Sequence, residues 1–130
     1  MIQILAHLWA DFVFQPNKWA LNKRKDIRYA FLHSLQYGLV YWLFFALFGT
    51  QISLDAMLLI VVTHIFIDRY YPARWLIFGK NRLVEPSLKW NDCSSTGYPS
   101  EIPKWLSMWL LIIVDNTMHL TINEIALRLL

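Results

Sequence analysis

Three of the four histidines in the chain have an aspartate four residues away, which is the spacing of one turn of an α-helix. Side chains at this spacing share one helix face, so each pair would point in a single direction. Imidazole and carboxylate groups together suit Zn, Mn or non-haem Fe. Because the chain has only six aspartates, three such pairs are a rare coincidence. The pairs are His7 with Asp11, His64 with Asp68, and Asp115 with His119.

The fourth histidine, His33, lies in another apolar stretch and adds one more nitrogen donor. We therefore expect a site for one or two divalent ions, with Zn, Mn and Fe left open. A water bound to such an ion has a lowered pKa and is a hydrolytic nucleophile. One aspartate would serve as general base instead of as a ligand. The candidate ligands are His7, Asp11, His33, His64, Asp68, Asp115 and His119, and the candidate bases are Asp11, Asp68 and Asp115.

Two further side chains are candidates for orienting the ligands or for binding near them. Gln15 continues the face of His7 and Asp11 by four residues, and it is equally a residue at a helix end. Arg69 directly follows Asp68 and is a candidate for binding a phosphate or lipid headgroup. An arginine in such a place is more often an anchor that sets membrane topology.

The same pairs have two other interpretations. Each could be a buried His–Asp hydrogen bond that holds helices together, although such bonds contribute only about 0.6 kcal/mol each in membrane proteins. They could also form a proton or cation path, because chains of Asp and His serve that purpose in pumps. Three buried carboxylates are costly unless a cation offsets their charge, and this favours the metal site.

The composition indicates that membrane helices carry these residues. The chain has 130 residues, of which 57% are hydrophobic and 16% charged, whereas soluble domains have about 25% charged residues. Residues 29–54 contain no Asp, Glu, Lys or Arg, and about 20 apolar residues are enough to cross a bilayer. We predict a single all-α domain over 1–130, an integral membrane bundle with helices at about 2–19, 29–48, 54–70 and 103–129, and a long loop at 71–102.

Basic residues set the expected topology. Most of the Lys and Arg lie in 17–28 and in 71–102, while the connection between helices two and three has none. The positive-inside rule places those two basic segments in the cytoplasm and both termini outside. The bilayer is the expected partner, with anionic lipid headgroups attracted by Lys23, Arg24 and Lys25. No nucleic acid is expected, and the oligomeric state stays open.

Four stretches of the sequence carry a resemblance to a known family. They resemble the small bacterial and phage membrane proteins catalogued as domain of unknown function 3307, over most of the chain except 71–102. One departure is Asn116, where the family usually has Gln, and the resemblance suggests that this amide hydrogen-bonds the ligands. The stretches are His7-Leu8-Trp9-Ala10-Asp11-Phe12 with Gln15, His33-Ser34-Leu35, Thr63-His64-Ile65-Phe66-Ile67-Asp68-Arg69, and Asp115-Asn116-Thr117-Met118-His119.

The resemblance supports a function that the residues alone leave open. The family is distantly similar to membrane-bound metal-dependent hydrolases, which implies hydrolysis in the bacterial inner membrane. We expect a multi-pass hydrolase with a His/Asp metal site near the cytoplasmic leaflet and a lipid-linked or membrane-proximal substrate. The alternatives are a non-enzymatic membrane accessory protein or proton pathway that uses the same cluster, and a soluble helical protein that buries its helices against a partner.

Overall fold

Helices make up all the regular secondary structure of the computed structural model, which describes residues 1–130, so the predicted all-α class is confirmed. The three longest helices lie close to predicted positions. Shorter helices lie before and between them, and the sequence pattern did not predict their separate bounds. The elements are α1 (Ile2–Leu8), a π-helix (Trp9–Val13), α2 (Asn17–Asn22), α3 (Ile27–Leu47), α4 (Leu54–Tyr70), α5 (Ala73–Val84), α6 (Trp90–Cys93) and α7 (Lys104–Leu129).

The first predicted helix, 2–19, is in fact three elements. After Leu8 the helix widens into the π-helix, in which the N–H of Phe14 bonds the carbonyl of Trp9 five residues earlier at 2.9 Å. Pro16 then adopts an extended backbone and begins α2. The break has a steric cause, because proline lacks an N–H and disfavours helical geometry at the residue before it.

Local caps explain where the two central helices begin and end. Asp26 caps α3 by accepting a hydrogen bond from the N–H of Arg28 at 3.0 Å, and Ser53 caps α4 by accepting from the N–H of Ala56 at 3.1 Å. Helix α3 ends before Gly49, whose φ of +71° suits a residue without a Cβ. A short connection therefore joins α3 and α4.

The chain divides into two compact units, residues 1–70 with 119–130 and residues 71–118. In the first unit α3 and α4 pack closely where Gly38 faces Val61. A Cβ on Gly38 would lie 2.6 Å from Cγ2 of Val61, so glycine allows this approach. The core around the crossing is formed by Ala6, Ala10, Tyr37, Val40, Tyr41, Phe45, Ala56, Ile60 and Ala126.

The second unit corrects the prediction of a long loop at 71–102, because this segment contains α5 and α6. No proline interrupts the twelve residues of α5, which starts directly after Pro72. The rings of Trp75 and Trp90 stack at 3.6 Å. Gly97, with φ of +83°, lies where a Cβ would overlap the carbonyl oxygen of Arg74. The prolines that suggested a loop instead separate its helices.

Two helices, α3 and α7, are long and apolar enough to cross a membrane by length and composition. Helix α4 has 17 residues, and α1 with the π-helix forms a shorter apolar stretch at Ile2–Val13. The predicted count of four spans therefore goes beyond what helix length alone supports, since a perpendicular span needs about 20 residues.

Candidate metal centre

Side chains from separate elements of the first unit converge on one buried cluster. Asp11 comes from the π-helix, His33 from α3, His64 and Asp68 from α4, and His119 from α7. All of them are buried except Asp11, which is partly buried. Two groups have ligand atoms that lie within 4.8 Å of one another: Asp11 with His64 and His119, and His33 with His64 and Asp68.

The second group has the spacing of atoms around a shared ion. Nε2 of His33 lies 3.0 Å from Nε2 of His64, and Oδ2 of Asp68 lies 3.3 Å and 3.2 Å from those two nitrogens. Donors about 2.1 Å from a metal are about 3.4 Å apart in a tetrahedron and about 3.0 Å apart along an octahedral edge. The three atoms thus match the separations that a divalent ion requires.

Asp11 and His119 extend the cluster beyond a single triad. Oδ1 of Asp11 lies 3.1 Å from Nε2 of His33 and 3.7 Å from Nε2 of His64. Oδ1 of Asp68 lies 3.8 Å from Nε2 of His119, while the other oxygen of the same carboxylate faces His33 and His64. His64 belongs to both groups, so the five residues provide donors for one ion or for a close pair.

His7 lies beside the cluster rather than within either group. Its Nδ1 is 3.4 Å from Oδ2 of Asp11 and 2.8 Å from the hydroxyl of Tyr37. The predicted pair of His7 and Asp11 therefore exists as a contact. The other oxygen of Asp11, Oδ1, faces His33 and His64, so Asp11 links His7 to the cluster.

Asp115 is the predicted ligand that stays outside both groups. It lies in the second unit, four residues before His119 on α7. His119 belongs to the first unit and to one of its two groups, and the role of Asp115 stays a prediction.

The residues predicted to orient the ligands or to bind near them, Gln15, Arg69 and Asn116, have different surroundings. Nε2 of Gln15 is buried without a hydrogen-bond partner. The guanidinium of Arg69 donates to the backbone carbonyl of Arg24. The amide of Asn116, in the second unit, donates to the carbonyl of Ile112 at 2.7 Å within its own helix.

Gln36 is a site residue that the sequence analysis missed. Its Oε1 lies 3.2 Å from Nδ1 of His33, and its Nε2 donates to the carbonyl of Ala10 at 3.3 Å. When Nδ1 gives its proton to an amide oxygen, Nε2 keeps the lone pair that a metal needs. The sequence did contain a signal for this contact, because side chains three residues apart on a helix lie next to each other.

A row of hydrogen bonds connects His7 to the backbone of α1. Nδ1 of His7 lies 2.8 Å from the hydroxyl of Tyr37, which donates to the hydroxyl of Tyr41 at 3.1 Å. The hydroxyl of Tyr41 donates to the carbonyl of Gln3 at 3.1 Å. A proton on Nδ1 of His7 is compatible with these directions and would leave the lone pair on Nε2.

Buried polar groups continue this network away from the cluster. Asn123 on α7 donates to the hydroxyls of Tyr37 and Tyr41 at 2.7 Å and 2.8 Å. The side chain of Gln3 donates to Glu124 at 2.7 Å. Hydrogen bonds thus link His7, Tyr37, Tyr41 and Asn123, and a separate bond joins the side chains of Gln3 and the partly exposed Glu124. The sequence analysis gave no role to any of these residues except His7.

Lys23 is a second missed residue at the cluster. Its Nζ lies 2.8 Å from Oδ2 of Asp68, the oxygen that also faces His33 and His64. The sequence analysis considered Lys23 only as an attractor of anionic lipid. A contact between residues 45 positions apart has no local pattern that would reveal it.

Comparison with known proteins gives one match. The family model described as a protein of unknown function (DUF3307) matches residues 1–92. The matched segment contains Asp11, His33, His64 and Asp68 and ends before α7, which carries His119. No curated protein and no solved structure matches the chain.

Proposed function

The chain belongs to the DUF3307 family of proteins of unknown function, and we propose that it is a membrane-embedded, metal-dependent hydrolase. Its substrate would be lipid-linked or lie next to the membrane. The observation that carries the proposal is the convergence of three imidazoles and two carboxylates in the first unit. Two carboxylates are costly to bury with a single lysine ammonium beside them, and these donors suit Zn, Mn or Fe.

The arrangement supports a division of roles within the cluster. A divalent ion supplies a water of lowered pKa as nucleophile. His33, His64, Asp68 and His119 are the buried candidate ligands that belong to the two groups. The side chain of Asp11 is 12% exposed and that of Asp68 only 4%, so water reaches Asp11 more readily. Of the two carboxylates in the cluster, Asp11 is thus better suited to accept a proton from the attacking water.

The distribution of apolar side chains supports a membrane location. Leu39 and Trp42 on α3, and Val62 and Phe66 on α4, are all more than half exposed, whereas the imidazoles are buried. Large exposed apolar surfaces around a polar interior suit a helical bundle in lipid. We propose a multi-pass protein of the bacterial inner membrane with four spans, both termini outside and the basic segments in the cytoplasm.

Metal analysis of the purified protein is the first test. We expect at least one equivalent of Zn, Mn or Fe per chain after purification without chelators. Replacing His64 by Ala removes the residue that both groups share, and the metal content should fall severalfold.

Asp55→Asn is the matched control, because Asp55 lies exposed on the same helix, α4, and belongs to neither group. Its metal content should equal that of the wild type. A wild-type protein with far less than one equivalent of metal would contradict the proposal. So would a His64→Ala variant that keeps its full metal content.

The hydrogen-bonded row from His7 through Tyr37 to Tyr41 favours a second candidate function, a proton or cation path. Tyr37→Phe removes the hydroxyl that links His7 to Tyr41. If the path carries protons, liposomes containing the wild-type protein should collapse an imposed pH gradient, and the Tyr37→Phe variant should do so much more slowly. A gradient that decays equally with wild type, variant and empty liposomes excludes this second function.

A further inference from the structure

Lys23 brings a positive charge to the edge of the metal cluster. Its ammonium lies 2.8 Å from Oδ2 of Asp68, and its side chain is 17% exposed. It therefore contacts a candidate ligand and remains open to solvent. A solvent-accessible ammonium beside the proposed ions is a group that binds the anionic part of a substrate.

The position of Lys23 is fixed by the elements around it. Lys23 is the residue that caps the end of α2, where its N–H donates to the carbonyl of Trp19 at 2.9 Å. The carbonyl of the next residue, Arg24, accepts a hydrogen bond from Arg69, which directly follows Asp68 on α4. Two adjacent residues of this segment thus contact two adjacent residues of α4.

The segment that carries Lys23 has an excess of positive charge. Between residues 17 and 28 there are five basic residues and one acidic residue, Asp26. Asp26 is bonded to Arg28 at 2.9 Å, and the hydrogen bonds from Arg28 lower the pKa of Asp26. Its negative charge is therefore already matched by Arg28. The remaining positive charges attract anions toward this end of the first unit.

We propose that Lys23 binds the phosphate group of the substrate, and that the protein is a phosphoesterase. This inference rests on the proposed hydrolase function and names its substrate class. Phosphate oxygens carry charge that an ammonium binds well, and charge grows on them during phosphoryl transfer. In the reaction water attacks phosphorus, the bond from phosphorus to the ester oxygen breaks, and that oxygen takes a proton. The products are an alcohol and inorganic phosphate or a phosphomonoester.

The test measures binding of inorganic phosphate to the detergent-solubilised, metal-loaded protein by calorimetry. We expect Lys23→Gln to weaken phosphate binding at least tenfold, because the ammonium is lost. Lys23→Arg keeps the charge and should keep most of the affinity. Lys25→Gln is the control, because it makes the same charge change on an exposed residue two positions away, and it should stay within twofold of the wild type.

Metal content measured on the same samples separates this inference from the function on which it rests. We expect Lys23→Gln to hold as much metal as the wild type, because the substitution removes a positive charge that would repel a metal ion bound to Asp68. A metal-loaded wild type that binds no phosphate, or a metal-loaded Lys23→Gln variant with unchanged phosphate affinity, overturns the phosphate inference alone. A wild type without metal overturns the hydrolase proposal and this inference together.

A second arm distinguishes the two sources of a phosphate group. Short-chain phosphatidic acid in micelles represents a lipid headgroup, and glycerol 3-phosphate represents a soluble phosphoester. Tighter binding of phosphatidic acid supports a lipid substrate, and equal binding supports a soluble one. In either case binding must weaken in Lys23→Gln. A probe affinity that is the same with and without Lys23 contradicts the proposal.

Discussion

A neighbouring amide holds one imidazole of the cluster in a defined orientation. Oε1 of Gln36 accepts a hydrogen bond from Nδ1 of His33. This leaves Nε2 of His33 as the lone-pair nitrogen, and Nε2 is the atom that faces His64. The partner of Nδ1 therefore determines which nitrogen would be available to a metal ion.

Removing the side-chain amide of Gln36 should weaken metal binding. We expect Gln36→Leu to lower the affinity for Zn or Mn by about 10-fold to 100-fold, the usual effect of losing a partner that orients a ligand. A competition titration against a chromophoric chelator measures this. Gln51→Leu, at an exposed position between α3 and α4, is the control and should leave the affinity unchanged. Equal affinities for both variants would show that Gln36 has no orienting role.

The sequence predicted the candidate metal ligands better than it predicted the residues that contact them. The four-residue spacing identified His64 and Asp68, which do converge, because spacing within one helix is a local property. The same spacing also selected Asp115, which lies in the second unit and whose role stays a prediction. Lys23 and Tyr37 reach the cluster and its neighbours through tertiary contacts. A single sequence contains no pattern for those.

At the scale of elements, the packing of α3 against α4 holds His33 and His64 together, and Gly38 lies at this crossing. We expect Gly38→Ala to lower the unfolding temperature. The new Cβ would lie 2.6 Å from Val61, and overpacking typically costs about 1–3 kcal/mol. The gain in helix propensity is only about 1 kcal/mol. Thermal unfolding in detergent, followed by circular dichroism, measures the change.

Gly79→Ala is the matched comparison, because Gly79 is also helical and a Cβ there would meet nothing within 4 Å. This variant should be unchanged or more stable by up to about 1 kcal/mol. If both variants shift the unfolding temperature in the same direction, the close approach of α3 and α4 does not limit stability.

Helices were predicted well where one apolar pattern continued and poorly where it was interrupted. Helices α3, α4 and α7 begin and end within a few residues of the predicted positions. The first helix was predicted too long because its pattern continues through the π-helix and Pro16. Helix α5 was missed because the prolines and glycines around it suggested a loop. Such residues mark boundaries between elements as well as the absence of elements.

At the scale of the whole molecule, the proposed topology can be checked by cysteine labelling. The native Cys93 is first replaced by Ser, and single cysteines are introduced as Gln51→Cys and Lys25→Cys, both at exposed positions. We expect a membrane-impermeant maleimide to label residue 51 in intact cells, because the uncharged connection between α3 and α4 should face outside. Residue 25 should be labelled only after lysis. The opposite pattern would reverse the proposed orientation.

Integration into the bilayer is a separate prediction. We expect the protein to remain in the membrane fraction after extraction with alkaline carbonate, because its exposed apolar side chains need lipid around them. A peripheral membrane protein in the same sample is the control and should be released. Release of this chain along with the control would favour a soluble helical protein that covers its apolar surface with a partner.

The π-helix makes the proposed metal site sensitive to the number of residues in the first helix as well as to their types. A π-helix differs from an α-helix by roughly one extra residue in a turn. Deleting one residue from Trp9–Val13 would let a regular α-helix form with almost no rotation of the turns before the deletion relative to the turns after it, because the wider turn already holds the extra residue. Asp11 lies inside this stretch, so its own direction would change and its alignment with His33 would be lost. Length changes in this stretch should therefore be tolerated far less well than substitutions at its exposed positions.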